Sequence, residues 1–532
     1  MNGNSRSCWC AIAILALAGS LVTGCAAIPP ASSAPPSFAL ADPSATELGQ
    51  YLAAESSVHP GQSAFHVLVS GVDALAARAR LIDAAQRTLD LQYYIVHEGL
   101  TTDYLLTKVI AAADRGVRVR FLMDDSTAWG KDAGTAALST HPNIEVRVFN
   151  SIGVGRRSAL RRAIAMMFGV SRLHRRMHNK MLVADNVAAV VGGRNLADEY
   201  FGAAPDVNFA DLDLLIAGPV VQELSASFDE YWNSRWAVPV ESISLVKVSS
   251  AEAERTGAQL TKRLEEHRKQ NPAYFERAEQ LSGGMTKLQP ELPWVWATGH
   301  AVYDTPEKMG DTGALEAVNH IGPRLLQQLD PIQSELVMIS AYFIPGNGGT
   351  EKLGALARRG VSVSVITNGL ASTDVTAVFA AYAAYRERLL RDGVQLYEIR
   401  TDPGLKAKAR ERGLAFGSSA VSLHTKAIVF DGSKVFIGSM NLDPRSQRWN
   451  TEVGVLVDSR EIAEQVLALA RIAMEPENSY HVVLEPQDHG AARLNWIATE
   501  NGREVRHMSE PAGSWRRFKA TITDPLLPEE LL

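Results

Sequence analysis

The sequence predicts an α/β fold built as two similar halves related by a pseudo-twofold axis, with one functional site at their interface. Two repeats carry that expectation. The first is a strand, a helical stretch, a glycine and a second strand. It runs through residues 89–96, 105–115, Gly116 and 117–122, and again through 336–344, 351–359, Gly360 and 361–366. Apolar strands joined by a helix that ends on glycine are βαβ units, which require parallel pairing and a sheet covered on both faces. The second repeat is polar. His178-Asn179-Lys180 with Asp185 is followed by Gly192-Gly193-Arg194-Asn195, and His424-Thr425-Lys426 with Asp431 is followed at the same spacing by Gly438-Ser439-Met440-Asn441. A lone His-x-Lys carries no information. The whole string in duplicate marks a duplication in which each half supplies part of one site.

Each motif has the pattern of a strand entering a tight hairpin. Short apolar runs precede the turn pairs Asp185-Asn186 and Asp431-Gly432, and second apolar runs follow them. Strand side chains alternate, so His178 and Lys180 share one face, as do His424 and Lys426. The same parity turns Asp185 and Asp431 to the opposite face. They complete the candidate catalytic set in a supporting role, pairing with a backbone donor or a basic side chain. Small residues at the Gly-Gly and Gly-Ser positions let backbone approach a ligand. Lys180, Lys426, Asn195, Asn441 and Ser439 then make a cationic, donor-rich pocket suited to phosphate.

Paired imidazoles suggest how such a pocket reacts. One His attacks phosphorus while the other, protonated, hands its proton to the leaving oxygen, and lysines and asparagines hold the remaining oxygens. A nucleophilic imidazole needs its second nitrogen held by an acceptor. Asp211 and Glu452 open equivalent apolar runs downstream of the two motifs, and each is expected to orient the His of its own half.

On these motifs the chain resembles the phospholipase D superfamily, matching its duplicated pattern at every defining position. The resemblance implies two tandem α/β/α sandwich domains with the active site between them. It also implies a phosphohistidine mechanism that uses neither metal nor cofactor, with His178 as nucleophile and His424 as acid and base. The strings Arg175-Arg176-Met177-His178-Asn179-Lys180, residues 195–201 and Asn441-Leu442-Asp443-Pro444-Arg445-Ser446 are similar to bacterial cardiolipin synthases of the C-type. That similarity runs from Ser63 to the C-terminus and implies phospholipid substrates: phosphatidylglycerol, with phosphatidylethanolamine as a second candidate. Transfer to a lipid alcohol and hydrolysis share the intermediate, and the motifs do not separate them; a nuclease of the same superfamily is the less favoured alternative.

Composition bounds the rest. With 46% hydrophobic and 21% charged residues the chain is ordinary globular protein. A formal charge of −6 disfavours a nucleic-acid partner, whose basic footprint is usually overt. Residues 11–22 are apolar but too short for a comfortable membrane span, and they lead into Leu21-Val22-Thr23-Gly24-Cys25. This resembles a bacterial lipobox, which implies a signal peptide over 1–24, lipid attachment at Cys25 and a place in the cell envelope. Ala26 after the Cys favours the outer membrane over the inner. Residues 25–62 are the anchor and its Ala/Pro/Ser-rich tether. The expected domains are 63–248 and 299–480, joined by a solvated helical linker over 249–298 and followed by an extension over 481–532. Residues 151–184 hold no acidic side chain, while Arg156, Arg157, Arg161, Arg162, Arg172, Arg175 and Arg176 lead into the first motif. With Leu160, Ile164, Met167 and Phe168 at helical spacing, the segment is expected to lie on an anionic membrane surface.

Overall fold

The computed structural model describes residues 35–125, 132–151, 174–243, 248–282, 293–310, 320–401, 420–486 and 492–523. Strands of the first half are β1 (Ser63–Leu68), β2 (Thr88–Tyr93), β3 (Arg118–Asp124), β4 (Ile144–Phe149), β5 (Met181–Ala184), β6 (Ala188–Gly192), β7 (Val207–Ala210), β8 (Asp213–Ala217) and β9 (Ala237–Pro239). The second half begins with β10 (Val295–Tyr303), β11 (Glu335–Ser340), β12 (Ser362–Asn368), β13 (Gln395–Ile399), β14 (Ala420–Leu423) and β15 (Lys426–Phe430). It continues with β16 (Lys434–Gly438), β17 (Val453–Asp458), β18 (Ser479–Glu485), β19 (Arg493–Glu500) and β20 (Arg503–His507).

Both halves arrange these strands in one order. The first sheet runs β9-β4-β3-β2-β5-β6-β8-β1. The second runs β18-β13-β12-β11-β15-β16-β17-β10, the same order position for position. Antiparallel pairing of β1 with β10, Ala64 opposite Trp296, fuses the sheets at the pseudo-twofold. Two of the parallel pairs, β2–β3 and β11–β12, are the βαβ units expected from the sequence. Their helices, Leu100–Asp114 and Gly346–Arg358, both end on a glycine with positive φ, Gly116 at 94° and Gly360 at 91°. Val117 N–H then bonds Ala112 O and Val361 N–H bonds Leu356 O, the capping pattern that only a left-handed residue permits without strain.

Alternation along the motif hairpins divides the core. Leu182, Ala184, Ala188 and Val190 point to the outer helices of the first half. Ile428, Phe430 and Phe436 do the same in the second. Met181, Val183, Ala189 and Val191 meet Ala427, Val429, Val435 and Ile437 in a third core that belongs to both halves. Helices Pro219–Trp232 and Arg460–Met474 contribute to that shared core, so each sheet is covered on both faces.

Two segments differ from the sequence expectation. Helix Ser250–Gln270, capped by the reciprocal Ser249/Glu252 box, and helix Pro272–Ser282 are solvated on one face, as expected, but the other face is docked on the first half. Leu260, Leu264, Phe275 and Ala278 are buried there, Arg263 pairs with Asp103 at 2.8 Å, and Tyr274 donates to Phe201 O. The apolar positions are few and widely spaced, which made the segment look polar all round. The C-terminal segment is likewise no appendage to the fold. β18 pairs with β13, and β19 and β20 extend the second sheet, with Trp496 Nε1 donating to buried Glu398.

The hairpin turns explain the motif aspartates. Asp185 and Asn186 have φ of 53° and 55°, and Asp431 and Gly432 have 48° and 57°, the left-handed pair that a two-residue turn needs. Asp185 accepts from Gln86 N, Arg87 N and Thr88 N at 2.8–2.9 Å, and Asp431 from Gln333 N, Ser334 N and Glu335 N. Each fastens the entry to the neighbouring strand, β2 or β11. At about 3.3 Å per strand residue, Asp185 lies roughly 20 Å along the chain from His178. The expected supporting role, pairing with backbone donors, is what both aspartates have, and as scaffold residues they leave the catalytic set. Asp185 is fully buried and Asp431 is not. Asp185→Ala should thus cost about 2–4 kcal/mol in chemical denaturation, from three stranded N–H groups, and Asp431→Ala clearly less.

Candidate active site

Each motif histidine arrives on a strand paired with the other half. β14, which leads into His424, runs parallel to β7, which leads into Asp211. Met177, which leads into His178, forms a parallel bridge with Thr451, which leads into Glu452. His424 N–H bonds Ala210 O at 2.8 Å, and His178 N–H bonds Thr451 O at 2.8 Å. The strands thus place each carboxylate beside the opposite half's imidazole. His178 Nδ1 lies 2.8 Å from Glu452 Oε2, and His424 Nδ1 lies 2.6 Å from Asp211 Oδ2. The expectation that each acid orients its own half's histidine is corrected: the pairing is crossed, because the acid and the histidine it serves sit at the ends of adjacent strands from different halves.

Residues the sequence did not single out fix this exchange. Asp124, at the end of β3, accepts from Met177 N at 2.9 Å. Its counterpart Asn368, at the end of β12, accepts from Leu423 N at 3.0 Å and donates to Leu423 O at 2.8 Å. Both end equivalent apolar strands on a polar residue, a signal present in the repeat. Asp304 accepts from Glu452 N and from Lys308 Nζ. Arg194, buried inside the first motif's loop, donates to Leu68 O, Val69 O, Tyr200 O and Asp211 O.

Ring contacts complete the walls. Tyr94 meets His178 edge-on at 5.0 Å, and Tyr200 and Phe209 flank His424 at 5.0 and 5.1 Å. Lys180 and Lys426 are buried, and the ammonium of each donates to its own motif histidine's carbonyl. Lys426 Nζ also lies 2.9 Å from His424 Nδ1. That nitrogen cannot serve Asp211 and Lys426 at once; with its proton on Nδ1 the ring donates to Asp211, and the ammonium rests on the carbonyl. Asn195 Oδ1 accepts from Ile95 N, and buried Asn441 keeps an Oδ1 with no hydrogen-bond partner among the described residues. Ser439 departs from its expected phosphate role. Its hydroxyl donates to Glu452 Oε2 at 2.5 Å and accepts from Val453 N, so it positions the acid. Its counterpart Gly193 cannot carry a side chain, since a Cβ there would meet Asp211 Oδ1 at 2.3 Å.

Burial dominates the electrostatics. It lowers the His178 pKa well below its ordinary value, and the charges of Lys180, Lys426 and His424 push the same way. Two of those charges, on Lys426 and His424, come from the second half, in keeping with the crossed hydrogen bonds. His424 is lowered by burial and Lys426, with Asp211 pulling in the opposite direction. Burial drives Lys180 well below its ordinary value and Lys426 to about 8. Burial pushes Glu452 up against Lys180 and Ser439. For Asp211 burial also pushes upward, but His424, Lys426 and Arg194 together hold it below the usual range.

The basic segment is partly visible. Residues 152–173, with Arg156, Arg157, Arg161, Arg162 and Arg172, lie outside the described residues, as does Cys25. Arg175 and Arg176 are described, and they do not face a membrane. Both are buried: Arg175 donates to Lys308 O and lies over the Trp449 ring, and Arg176 lies 3.5 Å from Asp124. They brace the strand that delivers His178.

A duplicated strand order with a two-histidine, two-lysine site between the copies defines a phospholipase D-type enzyme. The sequence family described as "Cardiolipin synthase, PLD-like domain" matches residues 79–232 and 325–471. Cardiolipin synthase C of Escherichia coli is 35% identical over 90% of this chain and 97% of its own. An uncharacterized Helicobacter pylori protein is 31% identical over 94% of this chain and 95% of its own. The chain belongs to this family. Its fold is similar to that of phosphatidylserine synthase from Haemophilus influenzae, with a TM-score of 0.50 at 13% identity, covering 81% of this chain and 92% of that one.

The crossed pairing has a direct readout. Removing the Asp211 charge removes what favours the imidazolium of His424, so Asp211→Asn should lower the His424 pKa further and leave His178 nearly unmoved. NMR titration of the two rings decides it; a shift confined to His178 would restore same-half pairing.

Proposed function

We propose that the chain is a membrane-anchored phosphatidyltransferase of the cardiolipin synthase type, working through a covalent phosphohistidine. One observation carries this reading: two buried imidazoles, one from each half, are both gripped at Nδ1 by a carboxylate. Nε2 is then the nitrogen left on each ring to meet a phosphodiester. Homology to a cardiolipin synthase over nearly the whole chain supports phospholipid as the substrate class.

The halves are not equivalent, and the difference supports roles. His178 is the ring that burial and two ammonium groups keep most firmly neutral, as a nucleophile requires. His424 sits against a carboxylate held ionised, which favours a ring able to carry the proton. In the forward step His178 Nε2 attacks phosphorus, the bond from phosphorus to the headgroup oxygen breaks, and His424 supplies that oxygen with a proton. In the second step an acceptor hydroxyl gives its proton to His424, its oxygen attacks phosphorus, and the phosphorus–nitrogen bond breaks. Lys180, Lys426, Asn195 and Asn441 hold the phosphoryl oxygens throughout. With phosphatidylglycerol as donor and acceptor the product is cardiolipin, and with water it is phosphatidic acid. Phosphatidylethanolamine is the second candidate substrate. Lipid attachment at Cys25 and a position in the bacterial envelope, on the outer membrane, complete the reading.

Labelled phosphatidylglycerol, offered with and without phosphatidylethanolamine, should yield cardiolipin with the natural chain. His178→Ala and His424→Ala should each lose roughly 10³-fold or more; full activity in either would sink the two-histidine mechanism, and phosphatidic acid as sole product would redirect it to hydrolysis. The lysines set the alkaline limit. Lys426 with a pKa of about 8 loses its charge as pH rises through that value, so kcat/KM should fall there. Lys426→Arg, if active, should lack that descending limb.

A further inference from the structure

Resting on the reading that the substrate is a phospholipid, we propose that helix Ser514–Thr523 and the loops beside it form a membrane-docking rim around the His424 side of the site. Trp515, Phe518, Val375 and Val207 are the side chains that enter the lipid interface.

Among the described residues Phe38, Val58 and Met508 are also exposed, but these four lie on or beside one helix and one crevice next to the site. Trp515 is 63% exposed, Phe518 53%, Val207 41% and Val375 37%. The Trp515 and Phe518 rings stack on each other at 5.6 Å instead of turning inward, while Ala520 of the same helix packs against the second core. Arg516 fastens the helix by donating to Leu370 O, Ala371 O and Thr373 O at 2.8–3.0 Å. Those carbonyls belong to the loop that walls a crevice of about 390 Å³, which Arg516, Val207 and Phe209 also line. Phe209 in turn packs on the His424 ring. A chain of contacts therefore joins the helix to the site, from Arg516 through the crevice wall to Phe209 and the His424 ring.

The chemistry selects a bilayer as the occupant. Residues 514–523 read Ser-Trp-Arg-Arg-Phe-Lys-Ala-Thr-Ile-Thr, with three basic and no acidic residues. Aromatic rings beside arginines suit the headgroup zone, where apolar faces bury among acyl chains and cations meet phosphates. The crevice itself carries Glu199, Asp206 and Asp374, so attraction to an anionic surface comes from the helix and not from the opening. A rim of this kind lets a lipid reach His424 by lateral movement without leaving the membrane.

The test uses residues 26–532, which keep the whole described fold, so that neither an N-terminal lipid nor the apolar residues 11–22 mask weaker binding. Phosphatidylcholine vesicles doped with phosphatidylglycerol should bind the Trp515→Ala/Phe518→Ala variant roughly 10- to 100-fold more weakly than the parent. Turnover of a short-chain phosphatidylglycerol kept monomeric should be the same for both, and Trp515→Phe should bind nearly as well as the parent. Equal vesicle binding by parent and double variant, both folded by thermal melting, overturns the proposal and leaves another cover, such as a second copy of this chain. An equal loss on monomeric lipid also overturns it, because the helix would then support the site. If the parent turns over neither lipid, the catalytic reading has failed while the vesicle comparison still decides the docking surface.

Discussion

The exchange of strand ends between halves is the constraint on which the site depends. Each histidine is delivered by a strand that is hydrogen-bonded to the opposite half, and each finds its carboxylate there. A single half would hold an imidazole without an acceptor and a buried carboxylate without a donor, which is the expensive way to leave ionisable groups. The shared apolar core and the β1–β10 seam therefore do more than stabilise the interface. They set the registry within which each ring meets the opposite half's carboxylate.

Burying two ammonium groups, two imidazoles and two carboxylates together is tolerable only because their charges and hydrogen bonds nearly balance. The lysines show the strain most: burial moves both down, and the carboxylates moderate that shift. An anionic phosphate entering this pocket adds the negative charge that the lysines lack, so binding and lysine protonation reinforce each other. Acid disturbs the same balance. Both histidines have folded-state pKa values below the unfolded one, so the unfolded chain binds more protons as pH falls through about 6.5, and stability declines there.

Much of this was legible in the sequence because it repeats. The βαβ units, the glycine caps, the hairpin turns and both His-x-Lys pairs occur in duplicate, and chance does not duplicate a spaced string. The crossed pairing was not legible. Asp211 and Glu452 stand at equivalent strand starts, but the strands they neighbour, β14 and the Met177 bridge, come from the other half, and periodicity within one segment cannot reveal that. Arg175 and Arg176 misled for a related reason: a basic run next to a site looks solvated until its partners, Lys308 O and Asp124, are known to lie far away in sequence. The docked connector helices were read as solvent-facing because only Leu260, Leu264, Phe275 and Ala278 anchor them.

The two copies have also diverged where divergence can assign roles. In one half a glycine, Gly193, makes room for the short acid Asp211, which sits against His424 and stays ionised. In the other, Ser439 hydrogen-bonds the longer Glu452, whose carboxyl burial pushes upward beside His178. A firmly ionised partner favours a protonated ring, and a partner whose charge is less secure leaves the ring neutral. A symmetric pair of imidazoles has no means of deciding which one attacks and which one donates. One methylene in the acid and one hydroxymethyl in place of a glycine hydrogen make the two halves unequal, and the inequality favours the proposed assignment of His178 as the nucleophile.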